Sequence, residues 1–250
     1  MINIKNMKSQ SGAVLIVVLI MLVIIAIAGT WAIRSSITSL NISTNAQAQS
    51  LLMQNSDSVF YTLENKTSDD LTFAQMRIVD GMLAYVLRPE NKGKELVFCI
   101  RGAVTDNFSG SRIASSVYWV GNSIMNTELG VNGFCKVERG DFISGRQAVM
   151  TQVSIRAADA SRDWEHMMEG DDKESSKSTG IQKVAITSTS ILPNLGNASL
   201  KQVSGCLSNY TSFVDPLVKN ETVTDCLSQL NVPYSTQEME YSLRSLKASS

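Results

Sequence analysis

The chain begins with a short polar segment that is followed by a long apolar run. From Ala13 to Ile33 the run is interrupted only by Gly29 and Thr30. At about 1.5 Å per residue, a helix of this length matches the hydrocarbon core of a bilayer. Lys5 and Lys8 precede the run, so the positive-inside bias predicts a cytoplasmic amino terminus. The pattern therefore predicts one membrane span, residues 13–33, with an exported head behind it.

Beyond the span, apolar residues recur with helical spacing, apart from a break around Ser43 and Thr44. They are Ile37, Leu40, Ala48, Leu51, Leu52, Val59, Phe60 and Leu63. This spacing predicts an amphipathic continuation, residues 34–65, with one face available for a sheet. The whole helix is expected from Ala13 to Glu64, loosened locally at Gly29 and Thr30, and ended by the polar residues 67–70.

The pattern changes in residues 66–250, which we expect to form a globular head. Five β-rich runs are strand candidates for an antiparallel sheet: residues 95–100, 112–120, 133–137, 148–156 and 183–192. Residues 71–87 fit either a short helix or a hairpin around Asp80 and Gly81. Residues 236–246 are expected to form a short helix capped by Thr236, because Met239, Leu243 and Leu246 share a helical face. A long helix packed on an antiparallel sheet gives an α+β fold.

The net charge and the four cysteines indicate which partners and which compartment suit the head. The formal charge of −1 argues against nucleic acid as a partner of the head. Cys99, Cys135, Cys206 and Cys226 all lie in the exported part, where an even number predicts two disulfides. Of three connectivities we favour Cys99 with Cys135 and Cys206 with Cys226, because neighbours in sequence meet most readily. The second pair would close a carboxy-terminal loop, residues 206–226.

A metal site or an active site is not indicated. The cysteines lack CxxC spacing and the single histidine, His166, is far from them in sequence. No nucleophile motif, dinucleotide fingerprint or phosphate loop is present, so we predict neither enzyme activity nor a cofactor.

Two segments of the head carry sharper alternatives. Residues 159–180 are rich in carboxylates and predict a solvated loop, with a calcium site as the alternative, although the spacing lacks an EF-hand pattern. Trp164, with Met167 and Met168, either forms a contact patch there or anchors the loop to the core. The acidic residues of segment 159–180 are Asp163, Glu165, Glu169, Asp171, Asp172 and Glu174.

The other segment is Arg139-Gly140-Asp141, a tripeptide that some host receptors recognise. Gly140 is expected to make a turn there.

The amino-terminal junction differs from that of a conventional secretory signal. Residues 1–12 form a basic, polar leader that ends in Gly12 directly before the apolar run, and no Ala-x-Ala site follows the run. This order resembles a class III (prepilin) signal. The resemblance implies cleavage by a membrane prepilin peptidase after Gly12, so that the mature protein begins at Ala13.

The residues around this junction resemble the PilX family of minor pilins. The similarity covers residues 5–65 and rests on Ser11-Gly12-Ala13-Val14-Leu15-Ile16, on the Gln/Ala-rich residues 45–49, and on Met53-Gln54-Asn55-Ser56-Asp57. The last segment is similar to a family motif, Phe-Gln-Ala-Ala-Glu, with Asp57 at the acidic position. The resemblance implies the type IV pilin fold and a subunit that primes pilus assembly and supports twitching motility and adhesion. It also implies a periplasmic head that becomes extracellular at the pilus tip, with the major pilin, other minor pilins and a PilY-type tip adhesin as partners.

Most pilins carry glutamate at the fifth mature position, where it is thought to neutralise the amino terminus of the preceding subunit. Here that position is Val17. A carboxylate in a bilayer costs a few kcal/mol unless it is paired, so its absence fits a subunit with no pilin above it. GspK-like pseudopilins of type II secretion share this absence and are the first alternative, although they usually carry a large helical insertion. The second alternative is a single-span protein whose head binds a periplasmic ligand.

Overall fold

The computed structural model describes residues 11–78, 81–102, 113–143, 147–158, 178–215 and 218–246. The chain divides into two units, Met1–Gln47 and Ala48–Ser250. One helix, α1 (Ser11–Thr67), supplies all of the described part of the first unit and the beginning of the second. We refer to the second unit as the head.

Helix α1 extends slightly further at both ends than the predicted 13–64. It stays helical through Gly29 and Thr30, where the Thr30 hydroxyl donates to the Ile27 carbonyl at 2.9 Å. The backbone is therefore continuous helix through these two residues, and the expected loosening is not observed. Within the head, the buried side chains of α1 are Leu52, Ser56, Val59, Phe60 and Leu63, which lie on one face.

The ambiguous segment after α1 is helical. Helix α2 (Asp70–Arg77) is capped at its amino end by Asp69, whose carboxylate accepts a hydrogen bond from the Thr72 amide at 3.0 Å. Helix α3 is Met82–Val86. The alternative of a hairpin at Gly81 is therefore wrong, and Asp80 lies outside the described residues. Met76, Met82, Leu83 and Val86 are buried in the core beside α1.

A six-stranded antiparallel sheet forms the centre of the head. The strands are β1 (Glu95–Ile100), β2 (Ser115–Val120), β3 (Ser123–Met125), β4 (Met150–Ala157), β5 (Ser178–Ile191) and β6 (Tyr234–Leu246). Their order is β3-β2-β1-β4-β5-β6, and each neighbouring pair is antiparallel. Together with α1 this is the α+β architecture of the predicted type IV pilin fold.

The strand predicted at 133–137 is absent. Backbone N–H groups of this segment bond instead to side chains: Gly133 to Ser115 Oγ at 2.9 Å, Cys135 to Gln152 Oε1 at 3.1 Å, and Val137 to Ser204 Oγ at 3.1 Å. A Cβ at Gly133 would lie 2.2 Å from the Ser115 amide nitrogen, so glycine permits this close approach. A short 3₁₀ turn, Val137–Arg139, follows.

The helix predicted at 236–246 is also wrong, because this segment is strand β6. Met239, Tyr241 and Leu243 alternate with polar residues, and β6 pairs with β5 in the register Met239↔Ile186 and Tyr241↔Val184. The Tyr241 hydroxyl donates to Glu64 of α1 at 3.2 Å. Pairing with a long neighbouring strand therefore outweighs the local helical spacing.

The two faces of the sheet are covered differently. On one face, Val59, Phe60 and Leu63 of α1 pack with Phe98, Val153, Ile155 and Ile186 of the sheet. On the other face lies a segment between β5 and β6, residues 199–232, which contains α4 (Leu200–Ser208) and α5 (Val223–Gln229). We call this segment the disulfide subdomain. Val203, Leu207 and Leu227 of the subdomain pack with Cys99, Met150 and Ile191 of the sheet.

Candidate functional site

The predicted processing residues lie at the beginning of α1. Gly12 and Ala13 are helical, and Val17 follows in the second turn with 56% of its surface exposed. Large apolar side chains from Val14 to Ile42 are exposed on all sides of the helix, and none of the most apolar window is buried. Within the described residues, this is the one helix long and apolar enough to cross a membrane. A surface of this kind requires a bilayer or other helices to cover it.

The segment that resembles the pilin motif is divided between two environments. Ser56 is fully buried against the sheet, whereas Met53 is 57% exposed and Asp57 is also exposed. A helix turns by about 100° per residue, so neighbouring positions can face protein and surroundings in this way. The acidic Asp57 therefore lies on the face of α1 that the head leaves uncovered.

Ser56 belongs to a buried hydroxyl cluster that the sequence analysis missed. Its Oγ donates to Ser190 Oγ at 2.9 Å, and Ser190 Oγ is 2.7 Å from Thr151 Oγ1. Small side chains at Ser56 and Ser190 let the helix approach the sheet closely between the larger Leu52 and Phe60. The available signal was a serine in the apolar stripe, four residues from Leu52 and four from Phe60.

The four cysteines form two disulfides with the connectivity that the sequence favours. Cys99 on β1 is bonded to Cys135, with a Cα–Cα distance of 4.8 Å, and neither residue is exposed. Cys206 on α4 is bonded to Cys226 on α5, with a Cα–Cα distance of 5.6 Å. The first bond attaches the irregular segment 133–137 to the central strand, and the second joins the two helices of the disulfide subdomain.

A buried carboxyl group on β1 was also missed. Glu95 is 1% exposed and accepts hydrogen bonds from the Ser212 amide at 2.8 Å and from the Ser212 hydroxyl. Burial raises the pKa of Glu95, although the hydrogen bonds from Ser212 and Ser154 and the charge of Arg156 oppose this shift. Glu95 therefore ties the loop between α4 and α5 to the centre of the sheet.

The Arg139-Gly140-Asp141 tripeptide forms a structural turn. Gly140 has a φ of 69°, the left-handed conformation that favours glycine. Asp141 is 8% exposed and accepts from Arg101 Nε at 2.8 Å and from the Lys136 amide at 3.0 Å. Burial alone would raise the pKa of Asp141, but these two hydrogen bonds and the charges of Arg101 and Arg139 lower it. A receptor that needs this carboxylate would first have to break the Arg101 pair.

The carboxylates expected in the acidic loop, together with Trp164, His166, Met167 and Met168, lie outside the described residues. Among the described residues, no group of three or more His, Cys, Asp or Glu side chains is arranged to hold a metal ion. The calcium alternative for residues 159–180 therefore stays a prediction.

Comparison with known protein families, curated proteins and solved structures gives no match for this chain.

Proposed function

We propose that the protein is a minor pilin that takes part in priming type IV pilus assembly and stays at the pilus tip with other minor pilins. In this role it is cut after Gly12 by prepilin peptidase, is held in the inner membrane by residues 13–33, and presents its head to the periplasm. After assembly the head becomes extracellular and contacts the major pilin, other minor pilins and a PilY-type tip adhesin.

The observation that carries the proposal is that α1 has two structural roles. One uninterrupted helix, Ser11–Thr67, exposes apolar side chains over its first half and covers an antiparallel sheet with its last part. An ordinary membrane anchor needs only the first of these properties, since its head can fold without sharing the helix. A filament subunit needs both, because the exposed half must pack against other helices while the last part of the same helix belongs to the head.

The sequence at the junction adds support. Gly12 directly precedes the apolar run, and Val17 replaces the acid that most pilins carry at the fifth mature position. A subunit with no pilin above it has no partner ammonium for such an acid, and an unpaired carboxylate would be costly among apolar helices.

A GspK-like role in type II secretion is less well supported. Such proteins usually carry a large helical insertion in the head, whereas the α-helices described between Ser68 and Leu246 have between five and nine residues. Residues 159–177, which lie outside the described parts, leave room for only a short insertion.

Intact-mass measurement tests the proposal directly. In cells with an active prepilin peptidase, the purified protein should begin at Ala13 and lack residues 1–12. Gly12→Val should retain the full chain, because a branched side chain next to the scissile bond blocks the peptidase. Gly29→Val is a matched control: it lies in the same helix, has open space around its Cα, and should be processed normally.

Two outcomes would contradict the proposal. A wild-type chain that keeps Met1 in the presence of active peptidase would exclude the prepilin signal. Normal removal of residues 1–12 from Gly12→Val would show that another protease cuts the leader.

A further inference from the structure

A groove on the head lies between the β2–β3 hairpin and the disulfide subdomain. Trp119 and Ile124, which are register partners on β2 and β3, form one wall, and the Cys206–Cys226 disulfide with Leu230 contributes to the other. Its volume is about 660 Å³, and it is widely open to solvent.

The lining selects against charged ligands. Every residue that lines the groove in the described part of the chain is uncharged, and its polar side chains are those of Asn122, Gln202, Asn209 and Tyr210, with the indole N–H of Trp119. A charged ligand would lose hydration here without gaining a counter-ion. The groove therefore suits a neutral ligand.

Two amide side chains present hydrogen-bond donors with a fixed orientation. Gln202 Oε1 accepts from the Ser199 backbone N–H at 3.0 Å, so the oxygen of this amide must face Ser199. Gln202 Nε2 consequently points away from Ser199, and it donates to no acceptor within the described residues.

The orientation of Asn209 follows from the same logic. Asn126 Nδ2 donates to the Ser208 carbonyl at 2.8 Å and to Asn209 Oδ1 at 2.9 Å. Because the carbonyl can only accept, Asn126 presents its nitrogen, and Asn209 must present its oxygen to it. Asn209 Nδ2 is then left as a second donor, also without an acceptor in the described part of the chain.

Aromatic surface lies beside these donors. The Trp119 ring is held by a hydrogen bond from Nε1 to Thr211 Oγ1 at 3.3 Å, and Tyr210 precedes Thr211 in the same loop. Both rings are partly exposed where they line the groove. An indole and a phenol offer flat apolar surface at low entropic cost to a ligand with an apolar face.

We propose that this groove binds a neutral sugar unit of a glycan. A pyranose ring has a face of C–H groups that can lie on the aromatic rings, and its hydroxyl oxygens can accept from the Gln202 and Asn209 amides. It carries no charge, as the lining requires. The proposal is independent of the protein's role in a pilus.

Saturation-transfer NMR on the full chain tests the proposal. The protein is held in a detergent without a sugar headgroup, and the probes are the methyl glycosides of glucose, galactose, mannose, N-acetylglucosamine and N-acetylgalactosamine. At least one probe should receive saturation through its C–H face. An N-acetylated, C-amidated Gly-Ser-Ala peptide, which carries no charge, tests whether a neutral peptide binds in the groove instead.

Gln202→Glu is the most informative variant. Glutamate retains the acceptor for the Ser199 amide, so the helix cap of α4 is kept, but the outward donor is replaced by a charged acceptor. Binding should weaken about tenfold while the thermal stability stays the same. Gln75→Glu on the exposed face of α2 makes the same charge change away from the groove and should bind normally.

Trp119→Ala should also weaken binding about tenfold through loss of stacking surface.

The source of the sugar is tested separately. Isolated peptidoglycan sacculi present sugars of the cell wall, and a mucin-type glycoprotein presents sugars from outside the cell. Retention of wild-type protein, but not of Gln202→Glu, on one of them identifies the source. Absence of saturation transfer to all five glycosides, binding of the peptide alone, or unchanged binding by Gln202→Glu would each overturn the proposal.

Discussion

At the scale of single residues, Glu95 couples the stability of the head to pH. Its carboxyl group is buried at the centre of the sheet, and burial raises its pKa in the folded state. As pH rises from the usual carboxyl pKa to this raised value, the unfolded chain releases the proton while the folded head retains it. Stability contributed by this group is therefore complete below the usual pKa and is lost as pH rises through the folded pKa.

Glu95→Gln should remove this loss. Glutamine keeps an oxygen that can accept from the Ser212 amide and has no charge to desolvate, so the variant should be more stable than wild type at neutral pH. The difference in melting temperature should shrink on acidification below the usual carboxyl pKa. Thermal unfolding followed by circular dichroism over a series of pH values measures this.

Glu90→Gln provides the control, because it makes the same change of residue at an exposed position away from the centre of the sheet. A Glu95→Gln variant that is less stable than wild type at neutral pH, with a deficit that shrinks on acidification, would show that Arg156 and Ser212 favour the charged form more than burial disfavours it.

At the scale of elements, the two disulfides should stabilise the head by similar amounts but affect different parts. They close loops with sequence separations of 36 and 20 residues. The loop-entropy account gives about 4 kcal/mol for Cys99–Cys135 and about 3 kcal/mol for Cys206–Cys226. Paired changes to alanine avoid placing new hydroxyl groups in the core, and denaturant unfolding would measure both losses.

Hydrogen exchange would show which region of the head each disulfide stabilises. Without Cys206–Cys226, exchange should increase mainly in α4 and α5, because the core beneath α1 does not contain this bond. Loss of Cys99–Cys135 should expose amides on β1 and in residues 133–137. Equal exchange throughout the head in both variants would show that the head unfolds as one cooperative unit instead.

The elements that were predictable from sequence are those in which local and tertiary preferences agree. The apolar run of α1 is too long for a strand, and β1 is a short run rich in strand-forming residues that was predicted with its observed bounds. Residues 236–246 fit both periods, since Met239 and Leu243 are four apart while Met239, Tyr241 and Leu243 also alternate. Only the presence of β5 as a partner decides between them, and pairing with a distant strand is not a local property.

The candidate sites were predictable to a similar extent. The cysteine pairs follow from compartment and proximity in sequence, and the turn at Gly140 follows from residue type. By contrast, nothing in the sequence around Glu95 indicates that its carboxyl group is buried. The burial depends on contacts with the disulfide subdomain, which comes more than a hundred positions later. The groove near Trp119 brings residues 119–124 together with residues 202–210 and 226–230, which come much later in the sequence.

At the scale of the whole molecule, the composition of α1 bears on the position that we propose for the protein in a filament. If the protein occupies the tip, no amino-terminal ammonium of another subunit is available near Val17. A glutamate there would then remain unpaired among apolar helices and lipid, at a cost of a few kcal/mol. If the protein instead lies within the shaft, a glutamate at this position could find such a partner.

Paired variants distinguish the two positions. Val17→Glu and Val18→Glu place the same carboxylate one residue apart on equally exposed parts of the helix. At the tip both should lower the amount of protein in purified pili to a similar extent, as measured by quantitative immunoblotting. Within the shaft, Val17→Glu should be tolerated clearly better than Val18→Glu, because only the fifth mature position would lie next to a partner ammonium.

Microscopy of the fibres provides the decisive measurement. A labelled antibody against the head should mark one end of each pilus with a few copies, and deletion of the protein should reduce the number of pili more than their length, because a priming subunit acts once per filament. Label along the whole shaft, or a normal number of pili after deletion, would exclude the priming and tip role. The α+β head and its helix would be unaffected by that result, since they are held together by the packing of Val59, Phe60 and Leu63 on the sheet and not by position in a filament.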